Sequence, residues 1–336
     1  MTTPQTIAVT GATGFVGRSV VRALLARGHR VRALVRAASK ARAVLPRDPR
    51  LELVTGHVFD GTSPAALVRE ADALVHLIGI IREVRGGGES GPQTFQRMHV
   101  DATRVILDAC IAAGVPRYLH MSSLGASPDG KALYQRSKFE AELFVRRSGL
   151  HWTIFRPSLI HGPDGELVLM IHDMAAGLAP PWYFMPYFAR EIVDTSVPIG
   201  PSRLESAHVQ PICVDDVAWC FAEALQRDIT IGEIYNLSGP DTLTWPQLMG
   251  FYRDRIPGAN TSMPIAALPG NIGALAAKAA NFIGAGSLLP FDEGQALMSM
   301  QDSVSEHEKV HAHFGFTSKS FYESAQVYAT QMQTTH

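Results

Sequence analysis

The stretch Ile7-Ala8-Val9-Thr10-Gly11-Ala12-Thr13-Gly14-Phe15-Val16-Gly17 constrains this chain more than any other. Apolar residues run straight into evenly spaced glycines. An apolar pattern of helical period follows (Phe15, Val16, Val20, Leu24, Leu25) and stops at Gly28, a natural helix-ending glycine. The spacing predicts a buried strand, a tight turn and a helix whose N-terminus faces that turn. Unpaired backbone N–H groups there, aided by the helix dipole, attract a phosphate. Gly11 allows the turn, Gly14 the approach of a pyrophosphate, and Gly17 the packing of helix on strand. Such spacings also arise by accident, but a second apolar run, Val31 to Val35, completes a βαβ unit here. The reading is a dinucleotide site, with Thr13, Phe15 and Val16 joining the glycines as candidate contacts.

A chain of 336 residues, 46% of them apolar, can bury the core that such a layer needs. Its net charge of −1 offers no general attraction to nucleic acid or anionic lipid. Cys110, Cys213 and Cys220 sit in apolar contexts and read as buried free thiols, and no signal peptide is visible, so the expectation is cytoplasmic. The most membrane-like stretch, 265–289, is broken by Pro269, Asn271, Lys278 and Asn281. It reads as an Ala-rich packed helix with flanking turns, and peripheral attachment to a membrane stays open.

The end of the second strand is where the adenosine ribose is read. An acidic residue there suits NAD and repels the extra phosphate of NADP. No carboxylate stands between Val31 and Arg42, whereas Arg36 offers a planar cationic fork, so the pattern favours NADP(H) over NAD(H). Further runs at Leu51–Val54, Ala73–Gly79 and Arg117–Met121 alternate with helical segments, the last of these approximately Thr94 to Ala113. The alternation predicts an α/β Rossmann-type, doubly wound parallel sheet. His57, Val58, Leu77, Ile78 and Gly79 fall at strand ends and join the candidate cofactor contacts.

The fifth strand delivers Ser122 and Ser123, and Tyr134 and Lys138 follow one helical turn apart. A lysine cation lowers the pKa of a nearby phenol, and a serine hydroxyl can hold a substrate oxygen. Ser123, Tyr134 and Lys138 are the candidate catalytic residues, with Ser122 the second choice of serine.

These features together resemble an extended or atypical short-chain dehydrogenase/reductase. Further stretches agree, namely Ile154-Phe155-Arg156-Pro157-Ser158-Leu159-Ile160-His161-Gly162-Pro163, Gln210 to Ala218 and Tyr235 to Pro240. The resemblance implies that Pro157, Ser158 and Leu159 cover the nicotinamide, and that Tyr134 and Lys138 also touch its ribose. Within the family, His99-Val100-Asp101-Ala102-Thr103 and Ser122 to Ala126 are similar to the accessory complex I subunit of the alpha-subcomplex subunit 9 type. That likeness leaves association with a respiratory complex open, without turnover; nucleotide-sugar epimerase or dehydratase chemistry is a further alternative. Two positions depart from the pattern, since His57 stands where Asp is usual and His99 where Asn is usual.

The domain reading is a dinucleotide-binding core over 1–165, completed by 207–238, and a smaller, mostly helical substrate lobe from 166–206 and 239–330. Ala179 to Phe188, aromatic and punctuated by prolines, suits an apolar small-molecule substrate or a hydrophobic strut. His307-Glu308-Lys309-Val310-His311 matches a zinc-protease pattern, but no third ligand follows at the right distance, so no metal is expected. Asp215 and Asp216 read as caps of a helix beginning at Val217. The functional expectation is an NADP(H)-dependent oxidoreductase acting on a carbonyl or hydroxyl group.

Overall fold

The computed structural model describes residues 4–84, 86, 91–193, 202–282 and 291–332. They divide into two compact units: 1–157 with 214–237 and 306–317, and 158–213 with 238–305 and 318–336.

The first unit is a seven-stranded parallel sheet with helices. Its elements are β1 (Thr6–Thr10), α1 (Phe15–Ala26), β2 (Arg30–Val35), α2 (Ala38–Val44), β3 (Leu51–Thr55), α3 (Ser63–Val68), β4 (Ala73–His76), α4 (Ala102–Ala113), β5 (Arg117–Met121), α5 (Leu133–Arg147), β6 (His151–Pro157), α6 (Val214–Ala224), β7 (Glu233–Leu237) and α7 (Glu308–Phe314). The strands lie in the order β7-β6-β5-β4-β1-β2-β3. Chain order reverses between β1 and β4, which is where open sheets of this kind take ligands, outside the carboxyl ends of the strands. Residues 7–10 of β1 are fully buried, as expected of a central strand covered on both faces.

The long helix expected over 94–113 is two elements. A π-helical turn at Gln96–Asp101 precedes α4, which ends at Gly114 in the left-handed region (φ 70°). The wide turn holds His99 and Val100 buried, and wide turns of this kind concentrate at functional sites. β4 stops at His76, so Leu77, Ile78 and Gly79 lie beyond the strand. α6 begins at Val214, three residues earlier than expected. Asp215 and Asp216 therefore stand in its first turn, where their charges suit the helix dipole, rather than at its cap.

The second unit has its own core around Ile171, Met185, Leu243, Tyr252 and Phe321. The membrane-like stretch is not simply a helix. Ile265–Pro269 is a strand paired in parallel with Met185–Ala189, and the helix Gly270–Phe282 follows. Leu268 packs beside Phe188, which gives this apolar run an inner partner. Residues 283–289 lie outside the described residues. Among the described residues no helix is long and apolar enough to cross a membrane.

Candidate functional site

The glycine turn is built from backbone. Gly11 has φ +70°, and a Cβ there would lie 2.8 Å from the Leu77 carbonyl carbon. Gly14 N–H donates to Gly11 O (3.0 Å), and Gly14 is the extended residue that opens α1. A side chain at Gly17 would run into the Gly11 carbonyl and the Ala12 backbone, whereas one at Gly14 would meet Gly11 O alone, at 3.2 Å. The turn is thus closed on its protein side and open at Gly14, which is exposed. The first turn of α1 holds no acidic residue, so its free N–H groups present a positive end. Val16 is buried; Thr13 and Phe15 are half-buried, and the Thr13 carbonyl accepts from Arg18 (3.1 Å). This cradle fits a dinucleotide pyrophosphate.

Arg36 is exposed directly after β2, and His57 follows β3 with Val58 buried beside it. His57 Nδ1 accepts from Phe59 N–H (3.2 Å), which leaves the proton of the neutral ring on Nε2. Burial, then Arg97, then Arg36 lower the basicity of His57.

The other end of the site is built from side chains. Ser122 and Ser123 leave β5 with hydroxyls that are buried and lack a well-formed hydrogen bond. Burial pushes the Tyr134 phenol above its ordinary value, and the neighbouring Ser123 hydroxyl opposes that shift. Lys138 Nζ donates to Met121 O (3.2 Å) and lies 5.9 Å from the Tyr134 ring centroid. Its pKa is pushed down to about 8 by burial, against the opposing charge of Glu142. Glu142 is fully buried and holds Arg156 of β6 through a two-pronged ion pair (2.8 and 2.6 Å). A Cβ on Gly79 would approach Lys138 Nζ to 2.9 Å, so Leu77, Ile78 and Gly79 link the glycine turn to the lysine. Pro157 O accepts from Leu124 N–H (2.9 Å). In the second unit the Ser158 hydroxyl donates to Gln210 O, and Leu159 O accepts from Ile212 N–H (2.9 Å).

Several neighbours of these residues escaped the sequence reading. His99 meets the edge of the Tyr134 ring (5.3 Å), reaches Ser137 Oγ through Nδ1 (2.8 Å), and accepts from Ile80 N–H through Nε2 (3.1 Å). Phe95 closes a second side of Tyr134 (5.8 Å). Beneath them His76 stacks on His120 (5.5 Å) and takes a hydrogen bond from Thr10 (2.9 Å). Burial pushes His76 down to about 3 and leaves His99 and His120 well below the ordinary histidine value, so all three are neutral. The available signal was positional. His76 and His120 face each other across β4 and β5, at the end of the former and one residue before the end of the latter.

Of the zinc-protease pattern, His307 stands just before α7; the nearby His313 takes part through Nδ1 in a hydrogen bond with the Tyr235 hydroxyl (2.7 Å). In the second unit Trp182 and Tyr183 are exposed, while Met185 and Phe188 are buried. Cys110, Cys213 and Cys220 are buried and form no disulfide among the described residues.

Residues 11–174 match a family model described as NAD(P)H-binding. The chain is 31% identical to ceramide reductase of Caulobacter vibrioides over 245 residues, 72% of this chain and 68% of that one. It is 34% identical to 3 beta-hydroxysteroid dehydrogenase/Delta 5-->4-isomerase of Mycobacterium tuberculosis over 46% of this chain, about half (47%) of that protein's length. A match of 24% identity to the mitochondrial NADH dehydrogenase [ubiquinone] 1 alpha subcomplex subunit 9 of Dictyostelium discoideum covers 75% of this chain and 64% of the subunit. Among solved structures, dTDP-glucose 4,6-dehydratase from Streptomyces venezuelae shares the fold, with TM-score 0.67 and 22% identity, over 96% of this chain and 95% of that one.

Proposed function

Because the chain belongs to the short-chain dehydrogenase/reductase family, as an extended, NAD(P)-binding member of oxidoreductase or epimerase/dehydratase type, we propose that it is an NADP(H)-dependent reductase of a carbonyl group on an apolar small molecule. The observation that carries this reading is the Tyr134–Lys138 pair beside the buried Ser123 hydroxyl. Gly11, Gly14, Gly17 and the start of α1 hold the pyrophosphate, and Arg36 answers the 2′-phosphate. The nicotinamide, when bound, exchanges a hydride with the substrate carbon. Ser123 donates to the substrate oxygen and orients it. Tyr134, kept protonated by burial, gives that oxygen its proton as carbon becomes the alcohol carbon. The phenolate left behind is stabilised by the Lys138 cation until solvent returns the proton. An apolar substrate is supported by the similarity to ceramide reductase and a steroid dehydrogenase.

The test is to incubate the purified protein with NADPH or NADH and a panel of long-chain ketones, sterol ketones, quinones and nucleotide sugars, following loss of the reduced nicotinamide. Faster oxidation of NADPH by an apolar ketone is the expected result. Conversion of a nucleotide sugar without net cofactor oxidation would replace the reading with epimerase or dehydratase chemistry. A second reading, tight NADPH binding in association with a respiratory complex, is favoured by the likeness to the complex I subunit. Cofactor that co-purifies and turns over no member of the panel would support it.

A further inference from the structure

We propose that Arg97 is a second specificity-determining residue, which with Arg36 clamps the phosphate monoester on the adenosine ribose; the proposal rests on the dinucleotide reading above. Arg36 and His57 leave the sheet side by side, since Val35 pairs with Thr55 and Gly56 N–H donates to Val35 O (3.0 Å). Arg97 comes from the π-helical turn before α4, outside the βαβ unit. Its guanidinium lies 4.6 Å from the centroid of the Phe59 ring, which is itself 5.4 Å from the His57 ring. Gly91, in the left-handed region (φ +70°), lies against Arg97, where any Cβ would run into Nη1. Packed against both a ring and a glycine, the planar fork loses little freedom when it grips an oxyanion.

The electrostatics point the same way. Arg36 and Arg97 have no ion-pair partner among the described residues, and the nearby carboxylate is otherwise engaged. Asp60 accepts from the N–H groups of His57, Thr62 and Ser63 and from the Ser63 hydroxyl. Burial lowers the basicity of His57 first, and the charges of Arg97 and then Arg36 add to that shift against the charge of Asp60. Two arginines without an ion-pair partner among the described residues, set against the single charge of Asp60, leave a positive balance around His57 that suits an anion. The pyrophosphate belongs to the glycine turn, so the phosphate that remains is the one on the ribose. A bare 2′-hydroxyl gains little from either guanidinium.

The probes are 2′,5′-ADP and 5′-AMP, which differ by that phosphate alone, measured by calorimetry on the full chain. The parent should bind 2′,5′-ADP at least about tenfold tighter. Arg97→Gln should cut this ratio roughly three- to thirtyfold while leaving 5′-AMP affinity within about twofold. Arg97→Lys, which keeps the charge, should lose less, and it carries the test if the glutamine variant no longer binds 5′-AMP. A parent that binds the two probes equally, or neither, overturns the NADP or the dinucleotide reading and this inference with it. A discriminating parent whose ratio survives both Arg97 substitutions overturns only the role of Arg97.

Discussion

The two ends of the candidate site are made in opposite ways. At the glycine turn the working groups are backbone N–H donors, and what matters is the absence of side chains at Gly11, Gly14 and Gly17. At the Ser123–Tyr134–Lys138 end the candidate groups are side chains at the end of β5 and on α5, packed by His99 and Phe95 and tuned by burial, with Ser123 acting on Tyr134 and Glu142 on Lys138. A backbone site is specified within a few residues and resists most substitutions around it. A side-chain site depends on groups far apart in sequence, and its pKa values belong to the packing.

Four experiments press on that contrast. The largest effect should come from Tyr134→Phe, which keeps the ring between Phe95 and His99 but removes the acidic proton. Turnover should fall by about 10²–10⁴, the usual range for a lost general acid, with NADPH affinity nearly unchanged. A variant that turns over like the parent would remove Tyr134 from the chemistry.

Lys138 comes next. Its folded pKa of about 8 lies below the ordinary 10.5, so between those values the unfolded chain holds more protons and stability rises with pH. The rise should be up to about 3 kcal/mol and should vanish in Lys138→Met, read by urea unfolding across that window. In the opposite direction, turnover that uses the lysine cation should decline as pH climbs through 8. Identical stability slopes in parent and variant would mean that the lysine is not desolvated.

Gly14→Val tests the backbone end. Its Cβ would touch only Gly11 O at 3.2 Å, so thermal stability should change little. The branched side chain would cover the open face of the turn, and dinucleotide affinity should drop at least about tenfold. Gly17→Val is the contrasting control, expected to unsettle α1 itself. Equal binding by the parent and Gly14→Val would make the turn merely structural.

The smallest effect is expected at Arg36, which is exposed and screened. Arg36→Ala should weaken NADPH by about tenfold and leave NADH alone, as measured by fluorescence titration. An equal loss for both cofactors would place Arg36 on the adenine rather than on the phosphate.

How much could be read in advance follows the same division. Strand-to-glycine-to-helix patterns are local, and β1, α1 and β2 came out with edges shifted by a residue or so. Tyr134 and Lys138 could be paired from their spacing on one helix face. His99 could be noted only as a departure from pattern, because its contacts with Tyr134, Ser137 and Ile80 join three segments. The π-helical turn was missed because its apolar pattern reads as ordinary helix, and the strand Ile265–Pro269 because its pairing partner lies some 80 residues earlier.

The parallel α/β architecture, the glycine turn and the residue types at the Ser123–Tyr134–Lys138 end were legible in the chain alone, because hydrophobic period, glycine placement and helix spacing act over a few residues. Only the tertiary structure decided that Tyr134 and Lys138 are both biased towards their neutral forms and that Glu142 is tied to Arg156. It also decided that Arg97 rests on Phe59 near Arg36 and His57. Desolvation and Coulomb interactions depend on what surrounds a group in space, and no run of neighbouring residues encodes that.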